Sequence, residues 1–452
     1  MGDALLSGAP HAAPGARFSG MLLVAVWIGE LARIVHPFAG LALASALALG
    51  AFVALAWLRA SRHIRALFLA VIAVAAAIAF AGGVPHALAQ GYERSQIFGA
   101  FLPSVLFLRA TAEESPRIER LRHGLGALAP QAAQNWTLFG SHALGAVLSV
   151  GAMSVVAPVV SRGADDARRT GLATSSARGV GAAVMWSPFF VAMGFTSQLV
   201  PHVAIGALMA IGAGLGAIGL GLSLAMYTPR LTRAAFVASL AQLKPLLFPM
   251  AIVIAAVVGA SAAFGLPGLS SVSLVVPLCC LAYLALLGAS AARSAARRTL
   301  ASFARLADEL LIVVGATILA TVVAASPSAR AVGASITPGM ISGFALIAAL
   351  VFVLYLCGLA GLHPMIGVGI VLPVIAGGPF GVSHAVLVST GIFAWGLSAS
   401  ISMWSLPIVA ASLSFHVPVR ALVTRRDFLF GVAYGLAGTI YLGAVNAIAT
   451  TA

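Results

Sequence analysis

The chain has 452 residues, 61% of them hydrophobic and 8% charged, whereas a soluble globular domain carries about 25% charge; that excludes a soluble domain and places the chain in a lipid bilayer. The net charge of +14 does not point to nucleic acid, because every basic residue but Lys244 is an arginine and nearly all sit in short loops between apolar runs, where they report topology. Cys279, Cys280 and Cys357 fall inside apolar spans without metal-ligand spacing, so neither a disulfide framework nor a metal site is expected.

The first residues are small and polar and do not read as a cleavable signal; residues 1–37 are expected to form a short tail and an extra first helix. A spanning helix needs roughly 20 apolar residues. On that scale, spans are expected near 18–36, 38–58, 66–84, 95–110, 203–227, 245–264, 268–291, 307–326 and 427–448. The stretches 112–123 and 292–306 read as amphipathic cytoplasmic segments. Four further segments are apolar but interrupted: 124–160, 171–200, 340–376 and 383–416. If 124–160 and 340–376 each turn back as re-entrant hairpins, the arginines around positions 59–65, 109–122, 162–169, 230–233, 293–305 and 420–426 all face the cytoplasm, leaving Arg94 and Arg330 outside. The expected fold is therefore an all-α polytopic membrane protein with about 11 transmembrane helices plus two re-entrant hairpins, in two inverted repeats. The repeats span 38–227 and 245–452, joined by a cytoplasmic linker at 228–244. The N-terminus is then cytoplasmic and the C-terminus periplasmic, in a cell inner membrane.

The interrupted segments carry the repeat. FGSHALGAVLSV (139–150) is matched by AGLHPMIGVGIV (360–371), and SSARGVGAAVMWSP (175–188) by FAWGLSASISMWSLP (393–407). On this reading the first hairpin breaks at Gly140, Ser141 and His142, and its partner helix breaks through Thr174, Ser175, Ser176, Arg178, Gly179 and Gly181. The second hairpin breaks at Gly361, His363 and Pro364, and its partner through Ser389, Thr390, Gly391, Gly396, Ser398, Ser400 and Ser402. Broken backbone at membrane depth needs a cavity or protein to satisfy the freed N–H and C=O groups, and half-helix ends offer amides to anions and carbonyls to cations.

The expected substrate-binding set is thus Ser141, His142, Thr174, Ser175, Ser176, Arg178, Gly361, His363, Pro364, Ser398 and Ser400. Coupling-ion candidates are Ser141, His142, Ser175, His363 and Ser398. Arg178 is the sharpest residue: an intramembrane arginine normally faces a counter-ion or a cavity, and none of the four interrupted segments contains a carboxylate, so an anionic solute is the expected partner. His142 and His363, read as matching positions, are candidates to carry protons. Trp186 and Trp404, also read as a match, are expected to be buried beside the breaks. Glu30 and Arg33 read as a structural pair.

With its Gly361-Leu362-His363-Pro364 turn and this arrangement of hairpins and broken helices, the chain resembles the ion-transporter superfamily. That superfamily includes the divalent anion/sodium symporters and the large membrane subunit of tripartite (TRAP) transporters. The resemblance implies a solute held between hairpin tips and helix breaks, a homodimer, and one domain moving as an elevator against a scaffold. The Ser-Asn-Thr tips of the dicarboxylate symporters are absent, the only asparagines being Asn135 and Asn446.

The expected function is a secondary active transporter moving a small anionic organic solute by alternating access, coupled to sodium or protons, without catalytic residues, resident metal or other cofactor. No nucleotide-binding loop of the form G-x-x-x-x-G-K-[ST] is present. The alternatives are a membrane-embedded enzyme acting on a lipid-linked substrate, for which the expected external connections are short, a channel, and the membrane subunit of a TRAP-type assembly.

Overall fold

The computed structural model describes residues 14–118, 130–160, 164–200, 202–228, 232–241, 243–303, 306–335 and 341–451. The tail before residue 14, residues 119–129 and Arg162, Arg230 and Arg305 lie outside the described residues, as does the start of the expected first hairpin. In chain order the helices are α1 (Pro14–Val35), α2 (Ala39–Arg59), α3 (Arg62–Ala81), α4 (His86–Ser95), α5 (Phe98–Glu113), α6 (Pro130–Leu148), α7 (Gly151–Val160) and α8 (Asp166–Val184). Then come α9 (Val191–Leu199), α10 (Ile205–Tyr227), α11 (Arg233–Ala241), α12 (Lys244–Phe264), α13 (Gly268–Leu287), α14 (Ala289–Phe303) and α15 (Leu306–Ala325). The chain ends with α16 (Pro327–Ser335), α17 (Gly343–Leu359), α18 (Pro364–Ala376), α19 (His384–Ala399), α20 (Leu406–Phe415) and α21 (Arg425–Thr451).

The described residues are helical, and nine stretches among them are long and apolar enough to cross a membrane. They are Phe18–Val35, Ala39–Arg59, Arg62–Ala81, His86–Glu113, Ile205–Tyr227, Lys244–Phe264, Gly268–Leu287, Leu306–Ala325 and Arg425–Thr450. Each coincides with an expected span, because uninterrupted hydropathy is the strongest signal a membrane sequence carries. The chain is a polytopic, all-helical membrane protein. By contrast α17, α18, α19 and α20 are apolar but only 10–17 residues long, too short to cross alone.

Packing divides the chain into two units, each drawing on both halves of the sequence: Met1–Glu114 with Phe264–Gly333, and Ser115–Ala263 with Ala334–Ala452. In the first unit α15 is the central helix, packed on α2, α3 and α4, while α13 and α14 pack on α5. Here α14 is amphipathic as expected: Ala295, Thr299 and Phe303 are buried, and Ser294 and Arg298 bind Glu114 and Glu113. Glu30 and Arg33 pair at 2.6 Å.

In the second unit α6 lies along α8. Ser141 meets Ser176 and Gly145 meets Val180, so the two helices run parallel and the chain between them turns back. The same holds for α17 and α19, where Gly343 meets Gly381 and Val382 at one end and Gly358 meets Ser398 at the other. α10 and α21 are antiparallel, with Tyr227 against Phe430 and Gly214 against Tyr441. The unit is therefore built from two similar motifs of opposite direction, closed by a core of Met185, Leu215, Tyr355, Phe393, Leu397, Phe430 and Tyr434.

Candidate functional site

The interrupted helices α8–α9 and α19–α20 cross at their breaks, residues 185–190 and 400–405. They run antiparallel. Gly181 faces Ser400, Gly396 faces Met185, and Gly391 faces Thr196, so closely that a Cβ at Gly181 would run into Ser400 Oγ. The first two contacts exchange under a two-fold-like operation: each of these glycines sits in one half and its neighbour at the break of the other. Small residues at such crossings let helix backbones approach.

Each break is tied to the hairpin that precedes it. Ser187 Oγ donates to Ala146 O at 2.6 Å and accepts from Phe189 N at 3.3 Å. Ser402 Oγ donates to Gly358 O at 3.1 Å and accepts from Trp404 N at 3.3 Å. Both acceptor carbonyls lie three residues before the hairpin's left-handed residue, Ser149 (φ 53) or Gly361 (φ 92). Ser187 thus corresponds to Ser402, and Phe189 to Trp404.

This register corrects several sequence expectations. The first hairpin does not break at Gly140, Ser141 and His142; α6 continues through them and turns at Ser149. Gly140 sits against the Trp136 ring instead. The first broken helix continues through Thr174–Gly181 and stops at Met185. The second hairpin does turn at Gly361, with His363 as N-cap and Pro364 opening α18. His142 and His363 are therefore not equivalent: one lies inside the first arm of its hairpin, the other after the turn. Nor do Trp186 and Trp404 correspond, and Trp404 is 72% exposed rather than buried.

His142 joins α6 to the first break. Its Nε2 accepts from Trp186 Nε1–H at 3.1 Å and its Nδ1 lies 3.3 Å from Gly179 O. Because an indole only donates, Nε2 carries no proton and Nδ1–H donates to the carbonyl; the ring is neutral. Ser141 and Ser176 share a buried hydrogen bond of 2.7 Å, and Gly179 lets α8 lie against Leu138 and His142. His363 Nδ1 accepts from Met365 N at 3.4 Å, and its ring stands edge-on to Trp395 at 6.1 Å, Trp395 in turn contacting Phe195. Ser398 and Ser400 bond to Trp395 O and Gly396 O of their own helix, and Thr174 to Thr170 O and Gly171 O.

Arg178 stands apart from the crossing. It is 5% exposed, and its Nε donates to Ser223 at 2.9 Å, Nη2 to Ser175 at 3.3 Å and Nη1 to Asp427 Oδ1 at 3.3 Å. The guanidinium lies 3.6 Å over the Tyr227 ring. Where the interrupted segments pointed to an anionic solute as the partner of Arg178, the structure gives it a carboxylate of the chain, Asp427. Asp427 belongs to the first turn of α21, just outside the interrupted segments. It closes a capping box with Thr424, accepting from Thr424 N at 3.0 Å and Thr424 Oγ1 at 2.5 Å. Thr424-x-x-Asp427 before an apolar run is a readable sequence signal for that geometry.

The expected site residues thus separate into three places. Gly361, His363, Pro364, Ser398 and Ser400 gather at the second hairpin and break; Ser141, His142 and Ser176 line the α6–α8 seam; Ser175 and Arg178 join the cluster around Asp427. Where α8 and α19 stop, carbonyls are freed, and where α9, α18 and α20 start, amides are freed. The breaks can therefore meet a cation and an anion at once.

No protein-family model and no curated protein matches the chain. Among solved structures it is similar to MtrF of Neisseria gonorrhoeae, whose structure is described as illuminating a class of antimetabolite efflux pumps. The identity is 15%, with a TM-score of 0.41, over 76% of this chain and 80% of that one. At that score the likeness assigns neither activity nor substrate.

Proposed function

We propose that this protein is a secondary active transporter that moves a small anionic organic solute across a bacterial inner membrane by alternating access. The single observation that carries the reading is the crossing of two interrupted helices at their breaks, each break bonded to a hairpin turn. Irregular backbone in an otherwise apolar, helical chain is tolerated where it lines a cavity, and paired broken helices of opposite direction are the usual frame of a midplane solute site. The parallel courses of α6 with α8 and of α17 with α19 support two re-entrant hairpins, and hence eleven crossings with the N-terminus cytoplasmic.

The solute sits at the second break and hairpin, where Gly361 lies against Trp404, Gly358 against Ser398 and His363 against Trp395, with Pro364 and Ser400 completing the set. Its negative charge faces the amide ends of α18 and α20. The coupling cation, sodium or a proton, takes the carbonyl side or His363. The protein works as a homodimer.

Uptake of labelled small organic acids into proteoliposomes, under imposed sodium or proton gradients, tests this reading. Gradient-driven uptake that is lost on His363→Ala in correctly folded protein is the expected result. No uptake of any acid under either gradient would overturn it.

A further inference from the structure

The cluster around Arg178 lies about 10 Å along α8 from the break, seven residues at 1.5 Å each, and the crossing does not account for it. Three helices meet there: α8 brings Ser175 and Arg178, α10 brings Ser223 and Tyr227, and α21 brings Asp427 and Phe430. Asp427 Oδ1 is shared between Tyr227 Oη at 2.7 Å and Arg178 Nη1 at 3.3 Å, while Oδ2 takes both Thr424 donors. Among the described residues the other charged group is Arg426, which stacks over the Tyr227 ring at 4.7 Å and reaches Met226 O. Arg426 and Thr424 are exposed, whereas Asp427 is 7% exposed, so the cluster lies just beneath an arginine-bearing rim.

We infer that Asp427 is a proton-exchanging group that controls an anion site at Arg178: when Asp427 holds a proton, the guanidinium charge is left unbalanced and takes the carboxylate of a small anionic solute. This goes beyond the transporter reading, whose solute sits at the second break, by adding a separate anion site, and it rests on that reading. Two features of the geometry carry it. The hydroxyls of Tyr227 and Thr424 both donate and accept, so a protonated Asp427 keeps these partners by reversing one bond, its new O–H donating to Thr424 Oγ1. Arg178 keeps an acceptor in Oδ1, but the charge that balanced its own is gone.

Second, the Arg178–Asp427 contact is a single bond at 3.3 Å, longer than the 2.7–2.9 Å typical of a charge-assisted bond. The guanidinium is held in place by Ser223 and the Tyr227 face instead. Ser223, Asp427 and Ser175 each take one of its five N–H donors. The proton comes from the aqueous side past Thr424 and returns there when the anion leaves; only an O–H bond forms and breaks.

The test is binding of carbon-14 acetate and succinate to the full chain in nanodiscs, with an infrared measurement of the protonated-carboxyl band. In the wild type, anion binding should tighten by at least about tenfold on acidification, one tenfold step being one unit of pH-linked exchange. Asp427→Asn should bind at neutral pH as tightly as the wild type does in acid, and should lack the carboxyl band. Arg178→Gln should lose the binding gained on acidification, and Arg178→Lys should retain part of it. Binding that does not change with pH in the wild type, or a folded Asp427→Asn that binds like the wild type at neutral pH, would overturn the inference. Gradient-driven uptake with unlinked binding leaves the transporter standing without this site; linked binding without any uptake leaves the site and removes the transporter.

Discussion

At the first break Ser187 and Phe189 are buried and Trp186 is half-buried, and the hairpin before it is joined to the break by bonds to His142 and Ala146. At the second break the same two backbone bonds recur through Ser402, yet Met403, Trp404, Leu406 and Leu362 are exposed. The two halves therefore share a hydrogen-bonded plan and differ in closure. Freed backbone groups have to be satisfied inside a bilayer whatever the function, so the serine-to-carbonyl bonds persist. Side chains around them are under no such demand, and the set is buried at one break and exposed and apolar at the other.

The crossing glycines break the comparison most severely. Gly181→Ala should cost about 2–3 kcal/mol as an overpacked contact, because Ser400 can leave its path only by giving up its bond to Gly396 O. Gly396→Ala meets the flexible end of Met185, at 2.7 Å from Cε, and should cost under about 1.5 kcal/mol. Thermal unfolding of the two variants, followed by size-exclusion of the purified protein, measures the difference. Equal losses would mean that the two sides of the crossing are packed alike.

The hairpin turns come next. Gly361→Ala forces a side chain into φ 92 and should cost about 1–2 kcal/mol, whereas Ser149→Gly, relieving a left-handed serine at φ 53, should stabilise by up to about 1 kcal/mol. Opposite signs in the same unfolding assay confirm that Ser149 and Gly361 hold corresponding positions. Trp186→Phe should then cost about 1 kcal/mol by leaving His142 Nε2 without its donor, while Trp404→Phe stays within about 0.5 kcal/mol.

Much of the fold was legible because long apolar runs are unambiguous, and Gly361-x-His363-Pro364 marks its own turn. The first hairpin was not, because a glycine in an apolar helix serves either to break it or to admit a neighbour. Gly140, Gly179 and Gly181 all do the second, against Trp136, α6 and Ser400. The repeated Met-Trp-Ser misled for a different reason. Geometry aligns Phe189 with Trp404, three residues from Trp186, since the repeat survives in which groups are bonded rather than in residue type. Asp427 was readable as the end of a capping box with Thr424; what the sequence could not supply was that α10 and α21 bring it to Arg178.

The smallest effect bears most directly on whether the halves are one motif used twice. Ser187→Ala and Ser402→Ala each remove one interhelical donor to a carbonyl, Ala146 O or Gly358 O, along with the acceptor for the amide two residues on. Interhelical bonds of this kind contribute about 0.6 kcal/mol on average and up to about 1.7 kcal/mol. Similar losses are expected, slightly larger at Ser187, whose bond is 2.6 Å against 3.1 Å. In the double variant the losses should add, because the serines share no partner. If the serines instead serve the solute, the losses separate: stability falls equally in both variants but uptake falls only in Ser402→Ala, beside the exposed Trp404. That result would place the solute at the open break, whereas equal loss of uptake would require both breaks to line its path.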